Sequence, residues 1–264
     1  MISLPLYKRE MKGSIKVLLI FAAVITLYVT VIIRMYDPEM MKTLDDFVKV
    51  MPELMAAVGM HAGATSLIGF MISYLYGFIL IVFPMVFCIL RGNGLIAKYI
   101  DRGSMVSLVA VKRQKIACTQ ASVLISGVIL LLGYATVLEI VVAQGSFPNE
   151  LEIAELLKLN SGLFCLLLFI AGICFLASCL FSDTRYSIGL GAGIPALMYV
   201  LQMLANAGED AEKAKYFTFF TLFQPENLVA GKSSALMGVT ILLIGGIALF
   251  AAGIFLFCKK DLYI

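Results

Sequence analysis

Charge is what this chain has least of: 14% of its 264 residues are Asp, Glu, Lys or Arg, where soluble domains run near 25%. Histidine is almost missing, with His61 the single example. That leaves little support for His-based metal centres or His-activated nucleophiles. Paired acids beside histidines within apolar stretches, which a glutamate-type intramembrane protease needs, are absent as well. No nucleotide-binding loop is complete. Gly231-Lys232-Ser233 looks like the tail of one, but Glu226 stands where the first glycine belongs. The chain alone binds no cofactor and holds no metal on this reading. The six cysteines form no CxxC pair and lie in or beside apolar stretches, which marks them as buried thiols rather than ligands or disulfides.

Apolar residues fill the space that charge leaves. They make up 61% of the chain, and its mean hydropathy is +1.00. A soluble fold of this length cannot hide that much apolar surface, so the bilayer must be the solvent. One helical bundle uses the whole length, with no room for a soluble catalytic domain.

About 20 apolar residues carry a helix across the hydrocarbon. Six stretches qualify, at about 17–33, 67–90, 116–142, 161–181, 186–204 and 234–257. The first is too long for a signal-peptide core and lacks a cleavage site, which makes it a retained span. The loops alternate in charge. Lys8, Arg9, Lys12, Lys16, Arg91, Lys98, Arg102, Lys112, Arg113, Lys115, Arg185, Lys259 and Lys260 place 13 of the 20 basic residues on one side, and 13 of the 17 acids fall on the other. Positive loops stay inside. Both termini are therefore expected in the cytoplasm, with the chain in a bacterial cytoplasmic membrane. The small net charge of +3 comes with no nucleic-acid partner.

Three loop regions carry pattern of their own. Residues 3–15 mix Leu4, Leu6, Tyr7 and Met11 with charge, which predicts an N-terminal interfacial helix on the membrane lipid. In 34–66, Met40, Leu44, Phe47, Met51, Met55 and Val58 recur at helical spacing, predicting an amphipathic helix kinked at Pro52. Its methionines and His61 raise the thought of Cu(I), but an apolar stripe on lipid or neighbouring helices accounts for them. In 205–233 the run around Phe217, Phe219, Phe220 and Phe223 is too apolar for an open loop and too short to span. That predicts a re-entrant or interfacial helical segment broken near Pro225, serving either a substrate pathway or plain anchoring. Glu139 is the one acid set well within an apolar stretch. It serves gating or transport, or it snorkels to the nearby surface.

The segment between spans two and three, RGNGLIAKYIDRGSMVSLVAVKRQK, holds the strongest signal. Gly92, Gly94 and Gly103 punctuate it, and Ile96, Tyr99 and Ile100 lie beside Lys98, Asp101 and Arg102. A short basic amphipathic helix of this kind lies on lipid or docks in a groove of a soluble partner. Ile96-Ala97-Lys98, Asp101-Arg102-Gly103-Ser104, Leu108 and Arg113-Gln114-Lys115-Ile116 resemble the matching segment of type-2 ABC exporter permeases. Lys8-Arg9-Glu10 before the first span and the ending Lys259-Lys260-Asp261-Leu262 are similar to the family too. The family's proline before the arginine is missing, and Tyr99 stands where an acid is usual.

The resemblance implies an all-α integral membrane protein of six transmembrane helices, with residues 94–108 as a cytoplasmic coupling helix and its exit. It implies a second permease copy, homologous or identical, and a separate ABC ATPase subunit that supplies ATP and Mg. Coupling would fall to Gly94, Ile96, Lys98, Tyr99, Asp101, Arg102, Gly103, Leu108 and Arg113, with Asp183 and Arg185 as a secondary contact. Glu139, Phe219, Phe220, Phe223 and Pro225 would serve the pathway or its gate, for an amphipathic cargo such as a small peptide. A secondary, ion-coupled transporter and a membrane-embedded immunity protein are the rival readings.

Overall fold

A computed structural model describes residues 2–37, 50–60, 66–104, 111–207 and 209–260, and everything regular among them is helical. The expected Met40, Leu44, Phe47 and His61, together with Leu108, Asp261 and Leu262, lie outside the described residues.

Among the described residues, six helical stretches are long and apolar enough to cross a membrane. The first is α1, Leu4–Arg34. Two short helices precede and open the second stretch: α2, Pro52–Ala57, and α3, Leu67–Met71. A π-helical turn, Ile72–Tyr76, leads from α3 into α4, Ile79–Leu95, and α5, Ala97–Asp101, ends that stretch. The others are α6, Arg113–Ser146, α7, Ile153–Leu180, and α8, Thr184–Ala207. Two 3-10 segments, Glu209–Phe217 and Phe219–Leu222, and the short α9, Pro225–Val229, precede the final α10, Ser233–Lys259.

The break expected between an interfacial helix over 3–15 and a first span over 17–33 does not occur. Helix α1 runs through both, roughly 46 Å at 1.5 Å per residue. Nothing in the stretch stops a helix except Gly13, which a helix tolerates. One buried stripe (Leu6, Glu10, Ser14, Phe21, Ile25, Val29, Ile33) keeps helical register from end to end. Pro52 opens α2 at a helix start, where its missing N–H costs nothing; most of the helix expected ahead of it lies outside the described residues.

Helix α7 forms the centre, packed against α4, α6, α8 and α10, and it is the most enclosed of the six. Glycines let the backbones close on it. Gly172 meets Leu249 and the Gly246 carbonyl, and Gly253 meets Phe175. Hydroxyls inside the spans return a bond to their own helix: Ser14, Thr26, Ser122, Thr136 and Thr240 each donate to the carbonyl four residues back. That satisfies them where water is scarce.

The second stretch is the irregular one. Around Gly77 the π-helical turn passes into α4, and the Gly77 carbonyl accepts from the Tyr199 hydroxyl at 3.1 Å. Gly59, at φ +80°, presses against the same spot. A Cβ on Gly59 would sit 2.7 Å from the Gly77 Cα.

Both described termini lie at one end of the bundle. The Ser3 N–H donates to Thr119 Oγ1 at 2.9 Å, and Arg113 donates to the Lys260 carbonyl at 2.6 Å. Lys260 in turn donates to the Cys179 and Leu180 carbonyls at the C-terminus of α7, at 3.2 and 2.9 Å. A cation there meets the negative end of the helix, although burial lowers the Lys260 ammonium below its ordinary range.

Candidate functional sites at the two ends of the bundle

At the terminal end, helix α4 stops at Leu95 and the backbone turns at Ile96 before α5 begins. Four ties hold α5 and its approach. The Ala97 N–H donates to Ser178 Oγ of α7 at 2.9 Å. The Tyr99 hydroxyl donates to the Glu10 carboxylate of α1. Asp101 accepts from Thr184 Oγ1, at the start of α8, at 2.7 Å. One turn earlier, Asn93 is buried and accepts from Ser187 of α8 at 2.6 Å. Arg91 completes the α1 tie, lying 3.8 Å from the Glu10 carboxylate and donating to its main-chain carbonyl at 3.4 Å. A carboxylate buried in this way is held by a cation and a hydroxyl together.

The residues expected to carry coupling therefore divide. Ile96 is wholly buried in the bundle's own core, and Tyr99 is half-buried and engaged with Glu10. Lys98, Asp101, Arg102 and Gly103 are exposed. Gly103 stops the helix at φ +66°, with its N–H on the Ile100 carbonyl at 2.9 Å. A side chain there would be strained. Gly94 is half-buried with open space around it. Arg113 is exposed and binds the Lys260 carbonyl. Asp183 accepts from the Arg185 N–H at 2.7 Å and caps α8, while the Arg185 side chain is exposed.

At the opposite end, a cavity of about 520 Å³ is walled by Tyr76, Tyr199, Gln202, Phe220, Phe223 and Pro225 among others, with Glu226 at its margin. Phe219 lies beside it, stacked on Phe220 at 4.6 Å and tilted against Phe169 of α7 at 5.0 Å. Thr218 fixes the segment by donating to the Met198 carbonyl at 2.9 Å. Three of the four loop residues expected on a pathway (Phe220, Phe223, Pro225) thus share one cavity, with Phe219 supporting them.

Glu139 does not reach the surface. It is fully buried, and its carboxyl sits 3.0 and 3.2 Å from the Tyr76 hydroxyl and 2.8 Å from Asn160 Nδ2. The Tyr76 hydroxyl also lies 2.9 Å from Asn160 Oδ1, which closes a triangle across three spans. Snorkelling is excluded. Tyr76 is common to the triangle and to the cavity lining.

Sequence reading missed Tyr76 and Asn160, as well as Glu10, Arg91, Asn93, Ser178 and Ser187 as ties. The signals were single polar residues in or beside apolar stretches, whose partners lie 63 and 84 positions from Tyr76. No protein-family model, no curated protein and no solved structure matches this chain.

Proposed function

We propose that the chain is the membrane-spanning permease of an ATP-driven exporter of the ABC type, with both termini in the cytoplasm of a bacterial cell. A separate ATPase subunit would grip the exposed face of α5, and a second permease copy would complete the pathway. One observation carries this reading. A short helix set off from its span presents Lys98 and Arg102 outward, while Ala97, Tyr99 and Asp101 tie it to α7, α1 and α8. A push on that face is delivered to several spans together, as a coupling element requires. The resemblance of Ile96-Ala97-Lys98 and Asp101-Arg102-Gly103-Ser104 to exporter permeases supports the same assignment. The aromatic cavity at the far end would receive an amphipathic cargo, a small peptide by that resemblance, before release.

The test is reconstitution with an ABC ATPase subunit, which this reading expects to be encoded beside the gene. Lys98→Glu with Arg102→Glu should abolish cargo-stimulated ATP hydrolysis and copurification of the ATPase, while the chain still inserts. Unchanged stimulation would remove the coupling assignment.

A second reading, an ion-coupled carrier, is favoured by the buried Glu139 triangle, since an ionisable group inside a span marks ion or proton pathways. Uptake into proteoliposomes separates the two. Cargo movement driven by a proton gradient without any ATPase would replace the first reading with the second.

A further inference from the structure

The triangle of Tyr76, Glu139 and Asn160 has three edges, and each must hold one proton between two polar atoms. Tyr76 supplies one, from its single hydroxyl. Asn160 supplies one more, because its amide turns nitrogen to one neighbour and oxygen to the other. Exchanging the amide oxygen and nitrogen changes which edge the asparagine serves but not how many. Ionised Glu139 supplies none. In that state one edge, at 3.2 Å or less, would set two acceptors against each other inside a protein interior. Among the described residues the side chains bonded to Glu139 are Tyr76 and Asn160, both uncharged.

We propose that this triangle is a proton-binding site, in which Glu139 carries the third proton and the cavity gives access to it through Tyr76. The site stands whether or not an ATPase docks at the other end. In the closed ring Glu139 donates to one neighbour and accepts from the other, so the neutral acid acts as a clamp joining the second, third and fourth spans. Exchange with the cavity is balanced. Tyr76 passes its hydroxyl proton to a cavity water and takes the Glu139 proton in its place, which leaves the carboxylate and a hydronium. The reverse steps reload it.

Glutamine is the nearest isostere of the protonated acid, placing an N–H donor and an acceptor oxygen on the same frame, with a second N–H left over. This makes Glu139→Gln the decisive variant. Infrared spectra of the full chain in lipid bilayers at neutral pH should show the carbonyl stretch of a protonated carboxylic acid. That band should vanish in Glu139→Gln and move to a new frequency in Tyr76→Phe. It should shift on transfer to D2O as well, because the proposed route through Tyr76 lets the proton exchange. Melting should fall less in Glu139→Gln than in Glu139→Ala. A wild-type spectrum with only carboxylate bands at this residue would overturn the proposal, and so would a Glu139→Gln chain less stable than Glu139→Ala. A band unmoved by D2O in the folded protein would overturn its access through the cavity.

Discussion

Two glycines near the end of α4 offer a matched pair of perturbations. A Cβ on Gly92 would lie 2.6 Å from the Cys174 Cβ of α7, whereas one on Gly94 would meet nothing within 4 Å. Carbon atoms rest at about 3.5–4.0 Å, so Gly92→Ala must push α4 and α7 apart by roughly 1 Å. The Cys174 Cβ is fixed to its backbone and cannot swing aside. Overpacking of this kind costs about 1–3 kcal/mol. Both substitutions also gain helix propensity, about 1 kcal/mol each, and that shared gain largely cancels between them. The difference between the two variants therefore isolates the steric cost. Thermal unfolding in one detergent should place Gly94→Ala at or above wild type and Gly92→Ala below it. Adding Cys174→Gly to Gly92→Ala should cost less than the two changes separately, since neighbours in contact are not additive. If Gly92→Ala melts as high as Gly94→Ala, the close approach of α4 to α7 is wrong.

Further expectations test the ties at either end. Tyr99→Phe removes the donor to buried Glu10, a loss of about 1–3 kcal/mol, and hydrogen exchange across Ala97–Asp101 should quicken; unchanged exchange would mean that α1 does not hold α5. Ser187→Ala leaves Asn93 Oδ1 without its hydroxyl and should lower the melting point by an amount equivalent to about 1–3 kcal/mol; full stability would show the contact to be idle. Gly238→Ala drives a methyl onto the Leu222 carbonyl oxygen, so protease cutting near Phe217 should rise as Phe219–Leu222 loosens; an unaltered digest would deny that packing.

The spans were legible because their signal is local. Twenty apolar residues in a row need no partner to be recognised, and all six stretches reappear, each longer overall, as α6 does by extending 116–142 to Arg113–Ser146. The ends lengthen because polar first and last turns still complete their backbone bonds as helix. The amphipathic pattern at Ile96, Tyr99 and Ile100 was legible too, but not its direction. An apolar side can face a partner or the chain's own core, and here Ile96 is sealed within the bundle. Glu139 drew notice as a lone acid, yet the choice between snorkelling and burial depended on Tyr76 and Asn160. Neither residue is unusual in its own stretch, and only the packing of three spans brings them within 3.2 Å or less of one another. The π-helical turn at Ile72–Tyr76 left no trace in composition.

The contact of Gly59 with Gly77 makes the segment around α2 and the irregular second span a single joint. Main chain rests on main chain there, with no flexible side chain between them to absorb a displacement. Whatever lifts that segment must also disturb the Gly77 carbonyl that Tyr199 holds and the wall that Tyr76 and Tyr199 share. The mouth of the cavity and the bend of the span are geared together.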